Sequence, residues 1–398
     1  MNVIPTSPGT VAMDPVRVTQ EHRLLREMVR SFVDREIPKA KANEIERSEQ
    51  FPEWLWKRMA DIGLQAVGVD EEYGGAGGDI VMQVIVAEEL ARTMGGLVWI
   101  WGLTSFSGAK SVGLYGTEQQ RARYLTDIAA GKSKWSIAVT EPDGGTDVLG
   151  AMKTVAKRVD GGWVLNGQKI WSTLAHVADY LLVLARTSNH PKASRGITVF
   201  IVPGKAKGVQ ATTIPKLGMR AIGSCTVTFD NVLLGDDAVL GQPDDGWKQF
   251  TATLNNERIL AAAVCCGIHQ GVLEDAVGYA KERVAFGRPI GQMQAIQHYL
   301  ADMAVGLELS RLITYKAAQL QSDGLPCAVE STMAKLVASE NANKAADNGI
   351  QILGGMGYAA ETDAQRYWRD SRLYRIGPIT NEMCRNFIGE QLGLGRSF

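Results

Sequence analysis

Apolar residues in the first third of the chain recur at the spacing of one helix face. The residues that carry this pattern first are Leu24, Leu25, Met28, Val29, Phe32 and Val33. They predict a helix, and Pro38 is expected to end or bend it. Further helices are predicted over residues 53–62, 80–94 and onward to about residue 130, with a glycine-rich loop at residues 73–78.

Short strand-like runs replace the helical pattern between about Lys134 and Gly241. Residues 180–185 are apolar, residues 197–202 are β-branched and aromatic, and residues 226–229 alternate with period two. Asp160-Gly161-Gly162 and Asn166-Gly167 are predicted to form turns. Short strands joined by turns indicate a small antiparallel sandwich or barrel.

Helical periodicity returns after Gly246 and continues to the end of the chain. The segments at 247–285, 294–322 and 328–352 are longer than typical helices, which favours a bundle. The predicted fold is therefore α+β. An N-terminal helical domain covers 1–133, a middle antiparallel β domain covers 134–245, and a C-terminal four-helix bundle covers 246–398.

Composition narrows the functional classes. The 398 residues are 45% apolar, and the formal net charge of −1 makes a nucleic-acid partner unexpected. No segment approaches the length of a membrane span, and residues 1–14 lack a targeting pattern, so a cytoplasmic location is predicted. The five cysteines form no CxxC motif and are expected to be reduced, and no metal site is predicted.

Two stretches of the middle segment carry candidate chemistry. The loop from Thr140 to Asp147 holds two glycines and several oxygen-bearing side chains, so its backbone can approach an anion or a polar ring edge. Trp171, between Lys169 and Thr173, could stack on a flat cofactor. An ordinary surface turn and a core tryptophan are the alternative interpretations.

A carboxylate falls on an apolar stripe in the C-terminal segment. Phe250, Leu254, Ala261 and Val264 follow helical spacing, and Glu257 lies on the same stripe. A buried carboxylate has a raised pKa, which suits a general base. The alternative is an ion pair with a nearby cation such as Arg258.

Two further stretches are ambiguous when taken singly. Arg283 and Arg288 could bind phosphates in a bidentate manner, or they could belong to a solvated helix end. The glycine-rich stretch at residues 351–358 could be only a helix C-cap. No strand precedes it, so it is not a dinucleotide-binding fingerprint.

Seven stretches in this order resemble the acyl-CoA dehydrogenase family over essentially the whole chain. They are Glu71-Glu72-Tyr73-Gly74-Gly75, Val139 to Asp147, Asn166-Gly167-Gln168-Lys169-Ile170-Trp171, Lys216-Leu217-Gly218-Met219-Arg220, Arg283 to Gly287, Gln351 to Gly357, and Arg369-Asp370. The resemblance implies a tetramer built as a pair of dimers, with FAD bound between two subunits.

The resemblance also assigns roles to residues. The flavin ring would rest against Val139, Thr140, Trp171 and Thr173, with Gly145 and Thr146 beside the cofactor and the thioester entrance. Arg283, Phe286, Gln294, Gln351 and Gly355 would reach the FAD of a neighbouring subunit, and Thr380 and Glu382 match positions that contact the nucleotide. The substrate-binding residues would be Thr146, Arg258 and Tyr374.

One departure from the family pattern concerns the catalytic base. In Tyr374-Arg375-Ile376-Gly377-Pro378-Ile379-Thr380, Pro378 stands where most members carry glutamate, and proline takes no proton. Proline also lacks the N–H that helps polarise the thioester carbonyl there. Glu257 lies at the alternative position used by isovaleryl-CoA and crotonobetainyl-CoA-type members. The first hypothesis is that Glu257 replaces the usual glutamate as the catalytic base. The second is that the chain no longer performs the ordinary dehydrogenation.

The first hypothesis implies α,β-dehydrogenation of an acyl-CoA in fatty acid metabolism. Glu257 would remove the α-proton, the β-hydrogen would leave as hydride to flavin N5, and electrons would pass to an electron-transfer flavoprotein. The alternatives are reduction of an enoyl-CoA by the same site, a flavin-dependent monooxygenase of the same fold, and a non-catalytic binding protein.

Overall fold

The computed structural model describes residues 17–396, so the residues considered for a targeting pattern lie outside the described part of the chain. From residue 17 to residue 133, the described secondary structure is helical. Its α-helices are α1 (Gln20–Glu36), α2 (Lys39–Ser48), α3 (Glu53–Asp61), α4 (Ile80–Ala91), α5 (Leu97–Gly102), α6 (Ala109–Tyr115) and α7 (Glu118–Ala129). A buried π-helical segment, Leu103–Gly108, joins α5 to α6.

The middle of the chain forms the sheet, and long helices follow it. The elements are β1 (Trp135–Ala138), α8 (Val148–Ala151), β2 (Val155–Val159), β3 (Gly162–Thr173), β4 (Tyr180–Arg186), β5 (Ile197–Pro203), β6 (Val209–Thr213), β7 (Ser224–Gly235) and β8 (Val239–Leu240). The elements that follow are α9 (Gly246–Glu282), β9 (Val284–Ala285), β10 (Arg288–Pro289), α10 (Gln294–Ser322), α11 (Ala328–Leu353), α12 (Gly355–Tyr358), α13 (Ala364–Leu373) and α14 (Asn381–Gln391). The predicted order of helices, strands and helices is confirmed.

These elements divide between two compact units. Among the described residues, one unit contains 17–44, Ile80–Gly95 and 255–396, and the other contains Ile45–Asp79 and Gly96–Leu254. In the first, α10 packs on α11, α11 packs on α13 and α14, and α4 packs on α1 and α10. Apart from the short β9–β10 hairpin, the secondary structure described in this unit is helical, as the bundle prediction requires.

The second unit is built on a sheet whose strand order is β6-β7-β3-β2-β4-β5-β8, with β1 added beside β4. Most neighbours are antiparallel, as predicted, but β1 and β2 each pair with β4 in parallel. One face of the sheet buries Leu165, Val183, Phe200 and Val227, which supply its apolar core. The sheet positions β3 and the segment after β1, which carry the candidate residues of this unit.

Two local expectations are wrong. Asn166-Gly167 is not a turn, because both residues lie inside β3 at a register shift against β7. Gly167 has φ 147°, and a Cβ there would lie 2.5 Å from the Thr154 hydroxyl oxygen, so the glycine permits a close backbone approach. Leu24 and Met28 are exposed on α1, because its buried face is centred on Val29, Phe32 and Val33.

Two composition-based expectations can be compared with the structure. Cys225, Cys265, Cys266, Cys327 and Cys384 are all buried free thiols, as predicted. The length and apolar character of α9 alone would allow it to span a membrane, contrary to the expectation that no segment would do so. Its most apolar window is 89% buried within the fold, so α9 is a core helix. The described residues contain no cluster of three potential metal ligands.

Candidate active site

Trp171 projects from the sheet at an irregularity in β3. The pairing of β3 with β7 shifts register between Lys169 and Ser172, and Trp171 has φ 62°. A bulge of this kind redirects a side chain out of the regular alternation. The Trp171 side chain is 56% exposed, whereas Lys169, two residues earlier, is fully buried. The core-tryptophan alternative is therefore wrong, and an indole is available to a ligand.

Strand β1 and the segment after it are held against β3 by hydrogen bonds. The backbone N–H of Ile170 donates to the Thr140 carbonyl at 2.8 Å, and the Ser136 hydroxyl donates to the Thr173 carbonyl at 2.7 Å. Val139, Thr140, Trp171 and Thr173, predicted to line the flavin, therefore belong to two directly bonded segments. Neither the backbone N–H nor the hydroxyl of Thr140 bonds to another described residue, so both can donate to a ligand.

The loop after Thr140 is partly exposed. Glu141 is buried at its start, and Gly145 and Thr146 are exposed further along it. The loop ends at Asp147, whose side chain accepts from the Gly150 N–H at 2.9 Å and caps α8. Gly145 and Thr146 therefore lie on an accessible segment that continues from the bonded pair of segments.

Glu257 lies on α9 in the helical unit and is half-buried. Its carboxylate makes no hydrogen bond or salt bridge with any residue that the structure describes. Desolvation raises its pKa from 4.5 to about 7, and the charge of Arg258 opposes the shift only in part. The carboxyl group is thus poised to gain or lose a proton near neutral pH.

The Arg258 side chain contacts Asn255 and Phe387 and forms no salt bridge with Glu257. Its guanidinium donates to the Asn255 side-chain oxygen at 3.3 Å and lies 5.6 Å from the centre of the Phe387 ring. Burial lowers the pKa of Arg258. The alternative in which Glu257 is neutralised by an adjacent salt bridge is therefore wrong for the described residues.

The loop between α13 and α14 carries the family departure and the residues around it. Tyr374 is buried and Pro378 is exposed. The Thr380 hydroxyl accepts from the Met383 N–H at 3.1 Å and caps α14, and Glu382 is exposed in the first turn of that helix. Fully buried Lys335 donates to the Ile379 carbonyl at 2.5 Å and to the Asn381 side chain at 2.6 Å, which anchors the loop to α11.

The residues predicted to reach the FAD of a neighbouring subunit are all exposed. They are Arg283, Phe286, Gln294, Gln351 and Gly355. Phe286 is 95% exposed at the tip of the β9–β10 hairpin, where Phe286 and Gly287 both have positive φ. Gly354 ends α11 with φ 60°, so this glycine-rich stretch does contain a helix C-cap.

Three family comparisons cover most of the chain. Residues 19–132 match the acyl-CoA dehydrogenase N-terminal domain, residues 136–232 match the middle domain, and residues 244–393 match the C-terminal domain. The chain belongs to the acyl-CoA dehydrogenase family. The family and fold inferred from the sequence are confirmed, and the chain is a FAD-dependent acyl-CoA dehydrogenase.

Individual relatives agree with this membership. A probable acyl-CoA dehydrogenase, YngJ, from Bacillus subtilis is 37% identical over 94% of this chain and 98% of its own length. Butyryl-CoA dehydrogenase from Megasphaera elsdenii is 31% identical, with a TM-score of 0.90 over 94% of this chain and 98% of its own. A FAD complex of PigA is 25% identical, with a TM-score of 0.89 over 94% and 98% of the two chains.

Sequence reasoning missed two buried lysines in this acyl-CoA dehydrogenase. Lys169 bonds the Val139 carbonyl and Glu141, and Lys335 bonds the loop that contains Pro378. A lysine inside a strand or helix that is otherwise buried is a usable signal, because a buried ammonium needs partners. The sequence does not show which distant acceptor supplies them.

Proposed function

We propose that this acyl-CoA dehydrogenase oxidises a short acyl-CoA across its α,β bond, with Glu257 as the base that removes the α-proton. The observation that carries the proposal is the carboxylate of Glu257, which has no hydrogen-bond or salt-bridge partner among the described residues. Its pKa of about 7 lets it accept a proton near neutrality. The name of the Megasphaera relative, a butyryl-CoA dehydrogenase, supports a short acyl chain. Pro378 supplies no competing base.

The residues of the sheet unit fit a flavin. Trp171 offers an exposed aromatic surface, and the N–H and hydroxyl of Thr140 are donors without a bonding partner among the described residues. Val139, Thr140, Trp171 and Thr173 would hold the ring, with Gly145 and Thr146 beside it. When bound, FAD supplies a two-electron acceptor that takes the β-hydrogen as hydride.

The chain's own residues would prepare the substrate for this chemistry. Glu257 holds the proton taken from the α-carbon, and its desolvated setting makes the carboxylate more basic than an exposed glutamate. Thr146, Arg258 and Tyr374 remain the proposed substrate-binding residues, although Tyr374 is buried and Arg258 is engaged with Asn255. Reduction of an enoyl-CoA would use the same groups in reverse.

We propose that the active enzyme is a homo-oligomer, specifically a tetramer. Val305, Leu309 and Leu312 form an exposed apolar stripe on α10 with four-three spacing, and Phe286 and Tyr358 are also exposed. Such surfaces favour association with another protein surface. We propose that Arg283, Phe286, Gln294, Gln351 and Gly355 contact the FAD of a second copy, while Thr380 and Glu382 contact the nucleotide.

Electron transfer to an electron-transfer flavoprotein is proposed on the family resemblance, and a cytoplasmic location stays a prediction from the sequence. Reduction of a purified electron-transfer flavoprotein by the enzyme and butyryl-CoA would test the partner. Failure of that transfer, with rapid reduction of an artificial acceptor, would reject the partner and leave the chemistry intact.

Replacing Glu257 tests the proposed function. Glu257→Gln removes the base while keeping the side chain's size, and Glu27→Gln changes an exposed glutamate on α1 as a matched control. We expect Glu257→Gln to retain FAD and lose at least about 1,000-fold in kcat with butyryl-CoA. Turnover equal to that of the control would reject Glu257 as the base. A wild-type flavin that no acyl-CoA reduces would favour a monooxygenase instead.

A further inference from the structure

An ion pair is buried behind the proposed flavin surface of the sheet unit. Lys169 is fully buried on β3, and its ammonium donates to the Glu141 carboxylate at 2.9 Å. Burial lowers the pKa of Lys169, and the Glu141 charge offsets this only in part. A buried ion pair is weak evidence for stability, because desolvating both charges is costly. Its position therefore calls for another explanation.

Both carboxylate oxygens of Glu141 accept hydrogen bonds from neighbouring residues. One carboxylate oxygen accepts from Lys169 and from the Thr154 N–H at 2.9 Å, and the other accepts from the Lys153 N–H at 2.6 Å. Burial alone would raise the pKa of Glu141, but Lys169 and these two amides bring it below its usual range. Glu141 is therefore a fixed anion that anchors its neighbours.

The pair joins the two segments that carry the flavin-facing residues. The Lys169 ammonium also donates to the Val139 carbonyl at 2.9 Å, and the next residue, Ile170, donates its N–H to the Thr140 carbonyl at 2.8 Å. Three successive residues, Val139 to Glu141, are thus bonded to two successive residues of β3. The register shift that exposes Trp171 begins at Lys169.

We propose that Lys169 and Glu141 are positioning residues that fix the Thr140 donors relative to the Trp171 indole, and so determine the affinity and environment of FAD. This inference rests on the proposed assignment of Thr140 and Trp171 to the flavin. Without the Lys169 ammonium, the Val139 carbonyl loses its fixed donor. The Thr140 N–H and the bulge at Trp171 can then move apart.

The decisive variant is the double substitution Lys169→Met with Glu141→Gln, which removes both charges and leaves neither buried alone. Lys157→Met, on the exposed face of β2, is the matched control. The full-length holoenzymes are diluted, and released FAD is followed by its fluorescence. The flavin absorption spectrum, the melting temperature, and kcat and KM with butyryl-CoA are measured in parallel.

We expect the double variant to melt within a few degrees of the control, to release FAD at a concentration at least tenfold higher, and to show a shifted flavin absorption band. Its kcat should fall while KM changes little. FAD affinity and a flavin spectrum equal to those of the control would overturn the inference. If the double variant does not fold, the neutral amide pair Lys169→Gln with Glu141→Gln decides by the same two measurements, with several-fold weaker FAD binding expected.

Failure of the inference is distinguishable from failure of the proposed function. If neither the wild type nor Lys157→Met holds FAD that butyryl-CoA reduces, the proposed function fails. If both do, and the charge-free variant behaves identically, only the positioning role of the buried pair is rejected.

Discussion

The pH dependence of turnover follows directly from the environment of Glu257. A carboxylate base acts only when ionised, and the pKa of Glu257 is raised to about 7. The ionised fraction is then about one tenth at pH 6 and about nine tenths at pH 8. We expect kcat/KM to rise about tenfold across this range, with the logarithmic slope approaching one below about pH 6. A glutamate with its ordinary pKa would give a nearly flat profile.

The assay is the initial rate of butyryl-CoA oxidation with an artificial electron acceptor between pH 5.5 and 9, on enzyme whose FAD content is verified at each pH. Arg258→Gln supplies an internal check, because the Arg258 charge lowers the pKa of Glu257. Its removal should move the midpoint to higher pH, whatever its effect on the maximum rate. A profile with no change between pH 6 and pH 8 would refute a desolvated base at position 257.

Three further predictions concern anchoring, charge and assembly. Lys335→Met removes the Lys335 donor from the Ile379 carbonyl and from the Asn381 side-chain oxygen, which keeps the Ser339 hydroxyl as a donor, so the free energy of unfolding should fall by about 2 kcal/mol. Urea unfolding beside exposed Lys344→Met checks this, and equal midpoints would contradict it. Arg311 and Arg26 outweigh burial and lower the pKa of Glu88 to about 2. The Glu88 charge therefore stabilises the fold above about pH 4.5, and this contribution is lost as the pH falls towards 2. Glu88→Gln should flatten the pH dependence of the melting temperature in that window, and an unchanged slope would contradict the assignment. Leu309→Glu places a charge on the apolar stripe of α10, so sedimentation should show that the oligomer dissociates and loses FAD. An intact oligomer that retains FAD would reject this stripe as the interface.

Sequence periodicity predicted the long helices and the central strands because their buried faces repeat regularly. The bounds of α10 and α11 lie within a residue or so of the predicted segments. The turn predicted at Asn166-Gly167 is wrong because a glycine that favours a turn also permits close approach of two backbone segments within a sheet. Only the proximity of Thr154 to Gly167 distinguishes the two cases. The predicted domain bounds of 1–133, 134–245 and 246–398 stay predictions.

Candidate site residues could be predicted from the sequence where they lie in a motif. Features that depend on contacts between residues distant in the sequence could not. Trp171 and Glu257 were identified from local pattern and family resemblance. Sequence alone could not show that the Trp171 indole is exposed, because this depends on the register of β3 against β7. It also could not show that Glu257 lacks a salt bridge within residues 17–396, because this depends on the direction of the Arg258 side chain. The anchoring roles of Lys169 and Lys335 join residues about 30 and 45 positions apart, which periodicity does not detect.

Exchange of the α-hydrogens of butyryl-CoA with D2O tests the central claim most directly, because it reports proton removal independently of any electron acceptor. The exchange is followed by NMR under anaerobic conditions on FAD-loaded wild type, Glu257→Gln and Glu27→Gln. We predict exchange in the wild type and in Glu27→Gln, and none above the enzyme-free rate in Glu257→Gln. Exchange in Glu257→Gln at the wild-type rate would show that another group removes the proton.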